Sequence, residues 1–347
     1  MSARTFVLGG AFAVILAGCG AGDNAEVLAD AAHDAASARA AQALLAGHAA
    51  DLHAAVVSLC AAAPLPPATG WSDATDPAAV AAMRAAWKDA HRAYQGLDGA
   101  ADLLFPDLDK VLDGAYEDAL AAGPDEDPFD AEGFVGLHAV ERILWADAIP
   151  PHVVAAESAL PGYVPAFFPV SELQAAEFHY DLCARLVSDA EALVERVASL
   201  DLGSPDGYEA GVRLVEQQVG KVTAAGQGLD ESRYSDTTLA DMRADVAAAR
   251  ATHEAYRPWL AAKPGGSAMD ADVEAGFTRL DAAYAAVAGD GLPAVPPGWS
   301  AVDPTAAARA APFGKLFAAA SAASDDTQPG SLAHLMDGAA VRMGIGE

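Results

Sequence analysis

Cysteine is nearly absent from this chain, with 3 in 347 residues, and no Cys-x-x-Cys occurs. Thiolate zinc sites and thioredoxin-like redox chemistry are thereby excluded. Basic residues are also scarce, 20 against 49 acidic, which leaves a formal net charge of −29. Such a surface repels nucleic acid and anionic membranes, and it gathers cations. Aromatic residues make up only 7% of the chain, and no stretch alternates at period two long enough for a strand. His-Glu-x-x-His, His-x-x-Glu-His, Gly-x-Ser-x-Gly and phosphate-loop patterns are missing; Arg142 stands where a second histidine would complete the second of these. What remains is an alanine-rich chain that is 53% hydrophobic, a composition that favours helices throughout.

The N-terminus reads as an export signal. Arg4 supplies the positive charge, Phe6 to Ile15 an apolar run too short to span a bilayer, and Leu16-Ala17-Gly18-Cys19 follows. That tetrad resembles the lipobox of bacterial lipoproteins, in which the cysteine is lipidated and becomes the new N-terminus. Residues 1–18 are then a signal peptide and 19–29 a lipidated Cys19 with a flexible tether. Gly20 after the cysteine resembles lipoproteins sent on to an outer membrane, with the protein facing the periplasm. Cys60 and Cys183 remain; in an exported chain they form one disulfide or sit as two small buried hydrophobes.

Apolar periodicity and breakers then predict an all-α fold of two packed up-and-down helical bundles, residues 30–165 and 166–323. Asp76-Pro77 and Ser171 with Gln174 are helix starts, and Pro264-Gly265-Gly266 is a helix break. The proline-rich run from Pro150 to Pro169 divides the halves. Residues 324–347 read as a small polar tail, partly disordered.

The chemistry concentrates in Gly136-Leu137-His138-Ala139-Val140-Glu141, on a helix with Asp130 as the expected N-cap and Pro150-Pro151 beyond its end. Phe134, Leu137, Glu141, Leu144 and Trp145 share one face, which implies burial. A carboxylate there is paired, protonated or bound to a metal. His138 and Glu141 point the same way and could hold one cation; the plainer reading is a core histidine bonded to its neighbour. A second acidic stretch presents Asp98, Asp102, Asp107, Asp109 and Asp113, with His91, Tyr94, Asp98 and Asp102 on one helical face. One imidazole and several carboxylates suit iron, manganese, zinc or calcium.

Gly136-x-His138-x-x-Glu141 with Leu144-Trp145 resembles the signature of the imelysin-like family, which includes the EfeO and EfeM iron-uptake lipoproteins. Glu231-Ser232-Arg233-Tyr234-Ser235-Asp236-Thr237-Thr238-Leu239 resembles a second segment of that family, and Tyr94-x-x-x-Asp98-x-x-x-Asp102 followed by Asp107-Leu108-Asp109 a third. The matches run in family order over about residues 30–290. This chain departs from the pattern in having Asp98 and Asp102 where the family has glutamates, Asp236 for a histidine and Ala240 for a tryptophan. The resemblance implies two helical bundles with a metal site in the groove between packed helices. His138, Glu141, Asp98 and Asp102 would be ligands, with Glu231, Tyr234, Arg233 and Asp109 bracing or closing the site. Iron is the implied metal, with zinc or manganese also compatible, and an iron permease or peroxidase the implied partner. The alternatives are a metallopeptidase, the activity attached to the imelysin name, and an acidic groove that binds a polysaccharide or protein.

Overall fold

The computed structural model describes residues 21–346 apart from 115–119, 121–122 and 124–126, with side chains from Val27 onward. Every regular element among the described residues is helical. The signal peptide 1–18 and Cys19 lie outside the described residues.

Helix α1 (Ala21–Ala62) is the spine of the molecule. Ala41, Leu45, Ala49, Leu52, Val56 and Leu59 form its buried stripe, at the three- and four-residue spacing of one helical face. Helix α2 (Pro77–Gln95) opens with Pro77, whose missing N–H is not needed in a first turn, and buries Val80, Met83, Trp87, His91 and Tyr94. The chain continues through α3 (Asp98–Leu104) and α4 (Pro106–Asp109) into a π-helical turn, Lys110–Gly114. Then come α5 (Gly136–Leu144) and α6 (Pro151–Glu157), followed by α7 (Glu172–Glu177), which runs through a second π turn into α8 (Cys183–Ser199). The second half holds α9 (Ser204–Glu216), α10 (Gln218–Ala225), α11 (Thr238–Ala262) and α12 (Gly266–Ala285). It ends with α13 (Ala306–Ala310), α14 (Pro312–Ser324) and α15 (Leu332–Met343).

Helix α1 packs against α2 and α8, and also reaches α9 and α11; α11 in turn packs on α2, α9 and α12, so one continuous core runs through both halves. The two halves of the chain therefore pack on each other through a shared core. Helix α8 returns to α1, and a disulfide between Cys60 and Cys183 joins them, with Cα atoms 5.6 Å apart. The start of α7 follows its capping chemistry: Ser171 Oγ accepts the Gln174 N–H at 3.2 Å, and Gln174 Oε1 accepts the Val170 N–H at 3.0 Å.

Three local expectations are corrected. The tether is helical from Ala21, because the alanine-rich run of α1 extends that far toward the N-terminus. The polar tail holds α15, capped by Ser331 and buried through Leu332, Met336 and Met343. The His138 helix begins at Gly136, since the Asp130 carboxylate instead closes a turn by accepting the Glu132 N–H at 2.8 Å. Gly136 has φ +85°, and a Cβ there would lie 2.5 Å from the Leu112 carbonyl oxygen and 2.8 Å from that of Val111. Only glycine allows this approach. It sets the start of α5 directly against the π turn that carries Asp113.

Candidate metal centre

Helices α2 and α5 meet through Trp87, whose indole N–H donates to the Leu137 carbonyl at 2.8 Å. His91, one turn further along α2, stacks on Trp87 with ring centroids 4.8 Å apart and planes 11° from parallel. On α5, His138 brings its ring centroid to 5.2 Å from that of His91. Both imidazoles turn Nε2 toward one oxygen, Asp113 Oδ1, which lies 3.0 Å from His138 and 3.9 Å from His91. Ligand atoms of the three residues all lie within 4.8 Å of one another.

The opposite edges of the two rings are held in the same way. His138 Nδ1 sits 3.0 Å from Glu141 Oε2, and His91 Nδ1 sits 3.1 Å from Asp241 Oδ1. Those carboxylates are themselves fixed. Glu141 Oε1 accepts from the Ser235 N–H at 2.8 Å and the Ser235 hydroxyl at 2.7 Å; Asp241 accepts the Ser232 hydroxyl, which also lies 3.2 Å from His91 Nδ1. A carboxylate on Nδ1 fixes ring orientation and directs Nε2 outward as the donor, the usual support of a metal-ligating histidine.

Electrostatics agree with the geometry. Burial works against a charge on His91, but Asp241 and Asp113 outweigh it and raise its pKa to about 10. His138 is likewise opposed by burial, and Asp113 and Glu141 hold it well above the usual imidazole value. Burial would raise Asp113, yet His138 and His91 keep it below the usual carboxylate range. Asp113 Oδ1 is buried and accepts no well-directed hydrogen bond despite its two near imidazoles. Among the described residues no lysine or arginine pairs with it. Protons on the two rings thus supply the positive charge, at the place where an ion bound by both Nε2 atoms and the carboxylate would supply it instead. Two imidazoles and one carboxylate, with sides left open, form a donor set suited to ferrous iron or zinc.

The other residues singled out in the sequence surround this centre without joining it. Glu141 occupies the Nδ1 side of His138. Asp98 lies 3.2 Å from Lys221 Nζ and accepts from Gln217 at 2.7 Å, while Asp102 pairs with Arg213 on the surface. Asp109 accepts the Tyr94 hydroxyl at 2.5 Å, and burial, ahead of the neighbouring aspartates, raises its pKa to about 6. Glu231 lies 2.7 Å from Lys221 and accepts from Gln95 at 2.6 Å. Tyr234 donates to Glu157, and Arg233 donates to the Asp230 carbonyl at 3.1 Å with its guanidinium over the Tyr234 ring. Asp98, Asp102, Asp109 and Asp113 do share an acidic cleft of about 550 Å³, and His138, Lys221, Glu231 and Arg233 line a second opening of about 370 Å³. Asp113 is common to both, so the centre is reached from two sides.

Three functional residues carried little signal in the sequence. His91 and Asp113 lay in the acidic stretch, but nothing in their spacing ties them to His138. Lys221 is a buried ammonium within 3.2 Å of Asp98, Glu231 and Asp245. Burial opposes its charge, but those carboxylates raise its pKa well above the usual value. It engages Asp98, which the motif offered as a metal ligand, and Glu231, which it offered as a bracing residue.

The model of the imelysin family, peptidase M75, matches residues 35–321. No curated protein matches. Among solved structures the chain is similar to an imelysin-like protein from Psychrobacter arcticum 273-4, at 13% identity and a TM-score of 0.47, over 88% of this chain and 91% of that one. The family match spans most of the chain and includes both segments that hold the centre, α2 to α5 and the loop before α11. This chain belongs to the imelysin family.

Proposed function

We propose that this protein captures a transition-metal ion, iron in the first place, as cargo for an uptake system, from a lipid anchor at Cys19 on the periplasmic side of the outer membrane. The observation that carries the reading is the convergence of His91 Nε2 and His138 Nε2 on Asp113, each ring held from behind by its own carboxylate. The acidic cleft along Asp98, Asp102 and Asp109 supports it, because carboxylates on the approach raise the local concentration of cations. An iron permease or peroxidase is the partner such a carrier would hand its ion to.

The test is elemental analysis followed by calorimetric titration of the metal-stripped protein with ferrous, ferric, zinc and manganese ions. One ion per chain is expected, with a rise in melting temperature that His138→Ala and His91→Ala abolish. Saturation at a hundredfold excess over Kd should add about 2.7 kcal/mol of stability. Melting indifferent to all four ions overturns the reading. A peptide-hydrolysis assay on the loaded protein separates carriage from cleavage. Cys19→Ser should release the protein from the membrane fraction, and a wild type that is already soluble would refute the anchor.

A further inference from the structure

The loop between α10 and α11 has two faces. Glu231, Ser232 and Ser235 face the metal centre. On the other side, Gly228, Asp230 and Asp236 line a separate cavity of about 550 Å³, closed by α6 and by residues 292–295. Its walls are largely apolar, with Ala155, Ala156, Leu292, Pro293 and Val295, and its charged members are Asp230, Asp236 and His152.

Asp230 is the unusual one. It is 4% exposed, and one carboxylate oxygen receives only a long contact from the Thr238 hydroxyl at 3.5 Å. The other, Oδ1, is buried at the cavity and accepts no hydrogen bond. Among the described residues its one ion-pair partner is His152 Nε2, 3.6 Å from Oδ1 on a side chain that is 52% exposed at the rim, and Asp230 raises the pKa of that imidazole. Arg233, three residues on, donates to the Asp230 backbone carbonyl. Asp236 adds a second carboxylate, so even with His152 protonated the three groups sum to a negative charge. Their ligand atoms do not gather into a metal-sized cluster, unlike those of the centre across the loop. A buried carboxylate oxygen whose one ionic partner is a long contact to a half-exposed imidazole, in a cavity with apolar walls, is matched by a ligand with one cationic end and an apolar body.

We propose that this cavity binds a small organic cation, a primary alkylamine or alkylguanidine, with its charged end on Asp230 Oδ1 and its alkyl part against Leu292, Pro293 and Val295. The site is distinct from the metal centre and does not depend on the metal reading.

The experiment is calorimetric titration of the intact protein, in chelator, with butylammonium and butylguanidinium, using butanol and butyrate as neutral and anionic controls. One saturable site for the cations is expected, at least tenfold tighter than for either control. Asp230→Asn should weaken it tenfold or more. Ala156→Phe should block it, because Ala156 lines the cavity and a ring in place of its methyl group occupies that volume. Metal binding at Asp113 should be unchanged in Ala156→Phe. No saturable binding, equal binding of butanol, or binding lost in Asp113→Asn but kept in Asp230→Asn would overturn the proposal. If Asp230→Asn does not fold by circular dichroism, Ala156→Phe decides, and retained binding there overturns it.

Discussion

Among the described residues, two clusters contain histidine and carboxylates at metal-like spacing, and they have opposite characters. In the first, His91 and His138 face Asp113. In the second, His253 faces Asp270 and Glu274 between α11 and α12. His253 Nε2 lies 3.0 Å from Asp270, its Nδ1 lies 2.9 Å from the Tyr208 hydroxyl, and Arg257 donates to Asp270 at 2.8 Å and also bonds Glu274. Arg250 lies 3.7 Å from Glu274 as well. Guanidinium groups already neutralise the second cluster. Burial then lowers the His253 pKa despite Asp270, whereas the carboxylates around His91 overcome burial and raise it. Residue types alone do not make a metal site. What decides is whether a fixed cationic side chain already holds the carboxylates, and around Asp113, among the described residues, only titratable imidazoles do.

The largest expected difference between the clusters comes from removing the central carboxylate. Asp113→Asn should reduce metal affinity at least a hundredfold and leave two buried imidazoles without their shared counter-charge. Asp270→Asn should leave metal affinity within twofold, and lower stability by about 1–3 kcal/mol through its lost bonds to Arg257 and His253. Metal titration and chemical denaturation of both variants make the comparison. Equal losses of metal affinity would erase the distinction.

The clusters should also respond to pH in opposite directions. His91 is raised to about 10, so the stability it contributes to the metal-free protein is complete below 6.5 and is lost as pH rises through about 10. His253 is lowered, so its contribution is present above 6.5 and is lost as pH falls through its folded value. His91→Gln should therefore flatten the alkaline side of the stability profile, and His253→Gln the acid side. Metal must displace protons from His91 and His138, so apparent affinity should tighten as pH rises between about 6.5 and 10, by up to about a hundredfold per unit if two protons leave. Calorimetry in buffers of differing ionisation enthalpy counts those protons. Release of none would mean that the imidazoles are not ligands.

A smaller effect is expected one bond removed from the ion. Glu141→Gln and Asp241→Asn keep the shape behind each ring but remove its anionic acceptor, and each should weaken metal binding about 10- to 100-fold. Tyr208→Phe, which removes the Nδ1 partner of His253, should not change it. Retention of full affinity in Glu141→Gln would show that the His138 orientation is set by packing alone.

The helices were legible because caps, prolines and apolar spacing are local: Pro77, Ser171 and Gly265 stand where helices begin or turn. The path of α8 back to α1 was not, since it depends on which apolar stripes fit, and nothing local in the 123-residue interval between Cys60 and Cys183 records that. The helix α15 was hidden by its small residues, although Leu332, Met336 and Met343 keep helical spacing. In the site, His138 could be found because a polar residue on a buried face needs a reason. Glu141 was legible as its companion, but not as a group behind the ring: a side chain at i+3 reaches Nδ1, and the geometry of imidazole then sends Nε2 the other way. His91, Asp113 and Lys221 take their roles from contacts between distant segments, and single-sequence periodicity does not report those.

The smallest effect should come from Asp102, which the motif offered as a ligand beside Asp98. Its side chain is 61% exposed and pairs with Arg213, which also reaches Glu209 at 3.3 Å. An exposed pair of this kind contributes about 0.2–1 kcal/mol, and salt screens it further. Asp102→Asn should thus leave the melting temperature within about 2 °C and the equilibrium metal affinity within twofold at physiological ionic strength. Its place on the acidic cleft points to a kinetic role: loss of one carboxylate from the approach should slow metal capture modestly at low salt, and the difference should vanish as salt is added. Stopped-flow capture at two ionic strengths, beside an equilibrium titration, separates the two. A tenfold loss of equilibrium affinity would make Asp102 a ligand after all and break the assignment of the centre to His91, Asp113 and His138.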